Sequence, residues 1–390
     1  MADAVRAKEQ QSSRSRWVAP IGGVVGIAML IVGVKALADP NAGPNMLASV
    51  YDFLGNTVGA TALRTGQGDQ GLAKILLALV ALVVGVGGIW MLYTGLSAIV
   101  SLFSPRTQGR ILPWVFVVPA LILLTVYLIY PMIATTILSV TDETKGDPLL
   151  HYKELLSPTF LAILRNNLIW LVVGTAGSVG LGLLIAGLVD RVRREALAKT
   201  FIFLPLAISL VGASVIWKFV YQWRPEGQPQ YGLLNAIWTG LGFHPLPWIS
   251  TPPINTFALI IIFVWLQTGF AMVVLSAAIK GVSVEVLEAA RLDGASERQI
   301  FFGIIVPIIK GSIITVATTI AIAVLKIFDI VYVMTGGRSD TEVVANRMFL
   351  EMFQFFNDGR AAALAVVLFV AVLPIMFINV RNLSKQGIGA

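Results

Sequence analysis

Long apolar runs decide the class of this chain before any motif does. Eight stretches qualify as bilayer crossings, near residues 17–38, 72–103, 112–140, 166–190, 201–222, 254–279, 304–333 and 361–381. A helix needs roughly 20 apolar residues to cross about 30 Å of hydrocarbon. Lipid offers the backbone no hydrogen-bond partners, so such runs fold as helices that satisfy themselves. The expectation is an all-α polytopic membrane protein with about eight transmembrane helices, the overlong second run being tilted or extending past the bilayer. Composition agrees, with 57% hydrophobic residues, 13% charged residues and a mean hydropathy of +0.83. A soluble domain carries about a quarter charged residues.

The net charge of +7 belongs to membrane flanks and not to nucleic-acid binding, because basic residues beside apolar spans set orientation. One set of flanks holds Arg6, Lys8, Arg14, Arg16, Arg106, Arg110, Arg191, Arg193, Arg194, Lys199, Lys280, Arg291, Arg298, Lys310, Arg381 and Lys385. The alternate set holds Arg64, Lys74, Lys145, Lys153, Arg165, Arg224, Arg338, Arg347 and Arg360. Sixteen against nine puts both termini in the cytoplasm, and eight spans agree in parity. The first span has a basic leader and Ala36-Leu-Ala38, which is signal-peptide-like. Its apolar run exceeds the usual h-region of about 7–15 residues, so it reads as an uncleaved anchor.

The segment 39–71 is rich in Gly, Asn and Pro and reads as an irregular external loop. The external loop 224–253 carries six prolines with Trp238 and Trp248, residues that suit turns and the headgroup zone. Cysteine is absent, which excludes disulfides and Cys-ligated metal. His151 and His244 lie far apart in polar segments. The sequence has no Gly-rich phosphate loop, no His-Glu-x-x-His and no Gly-x-Ser-x-Gly elbow, so nothing in it argues for a catalytic residue, a metal ligand or a nucleotide site.

Charges inside spans are costly and mark function or an interfacial position, at about 2.5–3.5 kcal/mol each near the bilayer centre. Lys326 and Asp329 are three residues apart in the seventh run, which on one helix puts them on one face. They either line a hydrophilic passage with Asn166, Asn167 and Gln267 or pair near the external end and snorkel to the interface.

One charged island, residues 280–307, interrupts the apolar pattern on the cytoplasmic side. Ser283 suits the N-cap of a short helix running to Leu292, and Gly294 supplies the left-handed residue that ends it. Ser296 with Gln299 forms a capping box for a second helix leading toward Pro307. A helix–turn–helix joined directly to the seventh span could pass a push from a partner into the membrane, although an ordinary amphipathic loop has the same periodicity.

Glu288-Ala-Ala, three residues, Gly294, nine residues, Ile304, one residue and Val306-Pro307 resembles the EAA loop of binding-protein-dependent ABC importer permeases. The usual pattern has Leu where Val306 stands. Pro131 closing the third span, Leu204-Pro205, Gly232-Leu-Leu-Asn235 and the run from Phe328 to Gly337 resemble the sugar-importer branch. Thr341-Glu-Val-Val-Ala-Asn-Arg-Met348 is most similar to α-glucoside permeases, while Arg338 departs from the Gly that often follows the glycine pair. The large external insertion of maltose permeases is missing.

The resemblance implies a six-helix type I (MetI-like) core over 112–385, with the coupling loop at 280–307. Residues 1–16 would be a cytoplasmic tail and 17–111 two additional helices with an external loop. It implies a prokaryotic inner-membrane permease for oligosaccharides, α-glucosides or maltose-like sugars, without catalysis of its own. Its partners would be a second permease, two ATPase subunits that bind ATP and Mg, and an external solute-binding protein. Glu288 would orient the docking helix, Ala289 and Ala290 would allow close approach, and Gly294 would set the turn, with Asp293 and Pro307 completing the motif. Lys326, Ile327, Asp329 and Gln267 are the candidate sugar path. A permease for another solute of the same importer class is the alternative. An ion-coupled secondary transporter would need coupling residues at the midplane and inverted repeats, and neither is evident.

Overall fold

The computed structural model describes residues 42–53, 57–65, 70–101, 103–141, 146–190 and 192–387. The expected tail at 1–16 and first span at 17–38 lie outside these residues. Among the described residues the secondary structure is helical, with no strand. The chain divides at Pro131 into two compact units.

In the first unit, α1 (Ala42–Phe53) and α2 (Thr57–Arg64) replace the irregular loop expected over 39–71. Turn-forming residues hid a helical period: Ala48 with Tyr51 and Ala60 with Leu63, each pair three apart, form a small apolar cluster. Pro44 falls in the first turn of α1, where no backbone donor is needed. Arg64 donates to Asp52 at 2.6 Å and ties the two helices. The 32-residue helix α3 (Gln70–Ser101) follows, and α4 (Arg106–Thr141, 36 residues) passes the unit boundary with one π turn at Thr125–Ile129.

The second unit is organised around α9 (Ile254–Lys280, 27 residues). Its residues are apolar all round, the pattern of a helix with no polar side to present. It packs on α5 (Pro158–Val189), α6 (Glu195–Phe203), α12 (Lys310–Leu325) and α13 (Asp329–Met334). Trp170 and Phe263 meet edge to face at 6.2 Å in this core, beside buried Leu259, Ile262, Met272, Ile320 and Val324. Lipid is as apolar as these side chains, so the fit itself, more than expulsion of water, holds the helices together. Leu168, Leu188, Phe201, Phe219 and Phe377 point outward, an apolar exterior suited to lipid or to another apolar partner.

Two of the expected straight spans are bent. The run at 201–222 breaks by 101° between Glu195–Ala207 and α7 (Leu210–Val220). Leu204-Pro205 forms a 3-10 turn there, and Ser209 restarts the helix by accepting from the Gly212 N–H at 3.0 Å. The run at 304–333 turns by 71° between α11 (Glu297–Ile308) and α12. A π turn at Phe301–Ile305 and Pro307, which has no N–H to give the ladder, precede that bend.

That same run ends earlier than expected. α12 stops at Leu325, Lys326 to Phe328 leave helical geometry, and α13 begins at Asp329. α8 (Leu233–Gly240) lies between α7 and α9, and its buried Asn235 ties Gln222 to Leu246. α14 (Val344–Phe353) and α15 (Asp358–Gly387) complete the chain. Buried Glu351 receives Arg347 at 2.6 Å and Arg360 at 3.4 Å, and Arg360 also reaches Glu154 at 2.8 Å. Four charges thereby pin α14 and α15 to the short Leu150–Glu154 helix.

Candidate functional site

The charged island folds into the expected hairpin. α10 (Val284–Leu292) starts after Ser283, and Gly294 at φ +83° turns the chain. The Gly294 N–H bonds to the Arg291 carbonyl at 3.1 Å, and the Ala295 N–H reaches back to Ala290 at 3.0 Å. This pair of bonds is a Schellman closure, in which only the left-handed residue is conformationally demanding. The capping box is present: Gln299 N–H donates to Ser296 Oγ at 3.4 Å and Ser296 N–H donates to Gln299 Oε1 at 2.8 Å. Arg291 Nε donates to Glu297 at 3.0 Å and braces the two helices across the turn. The Ser283 hydroxyl differs from expectation. It donates to the Glu285 carboxylate instead of accepting from a backbone N–H, and it holds the Glu285 carboxyl below its ordinary pKa.

The hairpin has an inner and an outer face. Val282, Ala290, Ile300, Ile305 and Ile309 are buried against Leu183 of α5, Ala278 and Ile279 of α9, and Ile313 of α12. Glu288, Ala289, Asp293 and Gly294 are exposed, and Leu292 is 89% exposed. The Glu288 carboxylate has no partner among the described residues. Leu292 thus shares the outer face of the hairpin with the Glu288 and Asp293 carboxylates. Ala290 faces inward and Pro307 sits at the bend before α12, so these two motif residues shape the element from behind.

A charged cluster that sequence reading missed lies where α5, α6 and α9 meet. Lys199 donates to Asp190 at 2.8 Å, to Glu195 at 2.5 Å and to Ser276, and Ser276 donates to Asp190 at 2.7 Å. Lys280, the last residue of α9, also donates to Glu195. The i, i+4 spacing of Glu195 and Lys199 was a legible signal, whereas the reach to Ser276, 77 residues away, had none.

The candidate sugar-path residues differ in burial and surroundings. Ile327 is buried in the core and Gln267 is half-buried on α9. The helix break separates Lys326 from Asp329, so they do not share a helix face, and no ion pair joins them among the described residues. Lys326 instead lines a cleft of about 510 Å³ with Phe328, Met348, Phe349 and Phe369. Phe328, Tyr332 and Phe349 pack on one another there, with ring centroids 4.9–5.2 Å apart. Asn166 and Asn167 are buried fasteners and not passage lining. Asn166 donates to the carbonyls of Asp340 at 2.5 Å and Glu342 at 3.1 Å, and Asn167 accepts from the Val344 N–H at 2.8 Å. Asn255 adds a bond to the Ser339 carbonyl at 2.5 Å. These bonds hold a loop in which Gly336, Gly337, Ser339 and Asp340 all have positive φ. No cluster able to hold a metal ion occurs among the described residues.

A family model for the binding-protein-dependent transport system inner membrane component matches residues 178–386, the hairpin included. The chain belongs to this family. It is the multi-pass inner-membrane component of a transport system. The osmoprotective compounds uptake permease protein GgtC of Synechocystis sp. is 52% identical, covering 70% of this chain and 98% of that relative. The alpha-glucoside transport system permease protein AglF of Rhizobium meliloti is 48% identical, covering 73% of this chain and 86% of that relative. Among solved structures, a chain of the bacterial alginate ABC transporter in complex with an alginate pentasaccharide-bound periplasmic protein matches with a TM-score of 0.62. That likeness covers 70% of this permease and 95% of the other chain at 20% identity, and it shows a shared fold.

Proposed function

We propose that this permease forms half of the translocation path of an ATP-driven importer for oligosaccharides, of the α-glucoside or maltose-like class. A second permease, two ATPase subunits that bind ATP and Mg, and an external solute-binding protein complete the machine. The observation that carries the reading is the hairpin, rigid at its turn, packed on three membrane helices and presenting Glu288, Ala289 and Leu292 to the outside. An element of this kind receives force from an ATPase and delivers it to the core as a rigid-body change between two states. The α-glucoside assignment draws on the 48% identity to AglF.

In this reading the hairpin and both termini face the cytoplasm, as the distribution of Lys and Arg favours. Residues 1–16 are a tail, 17–111 carry two additional spans, and 112–385 form the core with its coupling loop at 280–307. Lys326, Ile327, Asp329 and Gln267 remain the proposed sugar path, with the aromatic wall of Phe328 and Phe349 beside Lys326. The 52% identity to GgtC favours a second reading, in which the cargo is an osmoprotective compound. Reconstitution of the complete complex in proteoliposomes separates them. ATP-driven uptake of maltose or other α-glucosides supports the first reading. Uptake of osmoprotectants alone supports the second.

A further inference from the structure

We propose that Lys199 is a positioning residue that locks the bent α6–α7 span to the helix feeding the coupling hairpin. The inference rests on the coupling role of that hairpin. Lys199 gathers partners from three elements: Asp190 at the end of α5, Glu195 on its own helix and Ser276 near the end of α9. The side chains of Lys199 and Asp190 are only 19% and 14% exposed, so the pair is far less screened than a surface bridge. Lys280 closes the cluster on Glu195, giving two carboxylates and two ammonium groups. Four residues beyond Lys280, the chain enters α10.

A second contact makes the linkage rigid. An added Cβ on Gly269 would lie 2.6 Å from the Ile202 carbonyl oxygen and 2.8 Å from the Phe203 Cα, so α6 rests directly on the α9 backbone. The Lys199–Ser276 contact lies about two turns further along α9. Two attachment points fix the angle between the helices, where one would leave a pivot. A displacement of α10 therefore carries α6 with α9 and passes through the 101° bend into α7. Without Lys199 the Gly269 contact, the apolar core and the exposed Lys280–Glu195 pair still hold the helices together, but that remaining pair, with Lys280 53% exposed, is too screened to fix the angle of α6 against α9. Physical coupling of this kind travels through packed and charge-paired elements.

The test uses the complete complex in proteoliposomes, with sugar uptake and binding-protein-stimulated ATP hydrolysis measured on the same preparation. Lys199→Met keeps the stem and removes the charge, and Lys199→Arg restores the charge. The expected result for Lys199→Met is a fall of about fivefold or more in sugar moved per ATP hydrolysed, the lower end of ordinary coupling effects. Lys199→Arg should recover most of that ratio. Ser276→Ala, which removes the bonds that Ser276 makes with Lys199 and Asp190 but leaves the Lys199–Asp190 pair in place, should lower the ratio in the same direction and decides the matter if Lys199→Met does not assemble. Uptake and hydrolysis falling in proportion, with the ratio unchanged in Lys199→Met or Ser276→Ala, would overturn the proposal. Failure of the wild-type complex to couple uptake to ATP would instead overturn the function proposed above.

Discussion

The backbone N–H of Ala295 reaches back across the turn to the carbonyl of Ala290 at 3.0 Å. Ala290 is buried against the membrane helices while its neighbour Ala289 is exposed. The turn is thus anchored on one side and offered on the other, and its shape depends on one left-handed residue, Gly294.

Gly294→Ala places a Cβ in the left-handed region, which costs about 1–2 kcal/mol. Gly294→Pro also requires a negative φ and removes the N–H that bonds to Arg291. The expected outcome is partial loss of ATP-driven uptake for Gly294→Ala and abolition for Gly294→Pro. Membrane abundance by immunoblot should stay near wild type, because the turn lies outside the packed core.

Glu288→Lys separates docking from folding. The Glu288 carboxylate is exposed and has no partner among the described residues, so its replacement should change thermal stability in detergent by less than about 0.5 kcal/mol. Uptake should nevertheless be abolished. A variant that transports normally removes Glu288 from the docking surface.

Asn166→Leu tests the fastening of the loop that follows Gly337. It removes the bonds that Asn166 donates to the carbonyls of Asp340 and Glu342, each worth about 0.5–1.5 kcal/mol net. A clear drop in the thermal midpoint of the purified protein is expected, with proteolytic cleavage appearing between Gly337 and Val344.

Glu342 gives that loop a pH dependence. Burial pushes its carboxyl above the ordinary 4.5, opposed by hydrogen bonds from Asn346 and the Val343 N–H and by the charge of Arg347. The folded state therefore holds the proton to higher pH than the unfolded state does, and stability from this group falls as pH rises. The change is confined between the unfolded value and the raised folded value. Thermal midpoints across that window should decline less with rising pH in Glu342→Gln than in the wild type.

Asp329→Ala examines the proposed sugar path. With Asp329 released from any pairing with Lys326 by the helix break, its removal should alter transport rate or substrate range without destabilising the core. Unchanged uptake of every sugar tested would take Asp329 out of the path.

Much of this fold was legible because lipid imposes a crude rule, and six of the apolar runs correspond to helices or bent helix pairs capable of crossing a membrane. The hairpin was legible for another reason. Its signals at Gly294, Ser296 and Gln299 act within a few residues, so local chemistry determines the outcome. The bends were not, although Pro205 and Pro307 mark them, because proline inside a long apolar helix is compatible with either a kink or a break. The end of α12 at Leu325 leaves no compositional trace, and with it went the assumption that Lys326 and Asp329 share a face. Asn166 and Asn255 find their partners 174 and 84 residues away, distances at which no periodicity operates.

The central claim is that the outer face of α10 docks on an ATPase subunit, and the absence of native cysteine makes the decisive measurement clean. Ala289→Cys should crosslink through a short bifunctional reagent to a single cysteine in the partner ATPase, with a yield that changes when ATP is added. Tyr231→Cys, on the segment between α7 and α9, should not crosslink to it. No crosslink from Ala289→Cys in an assembled, transport-competent complex would contradict the account.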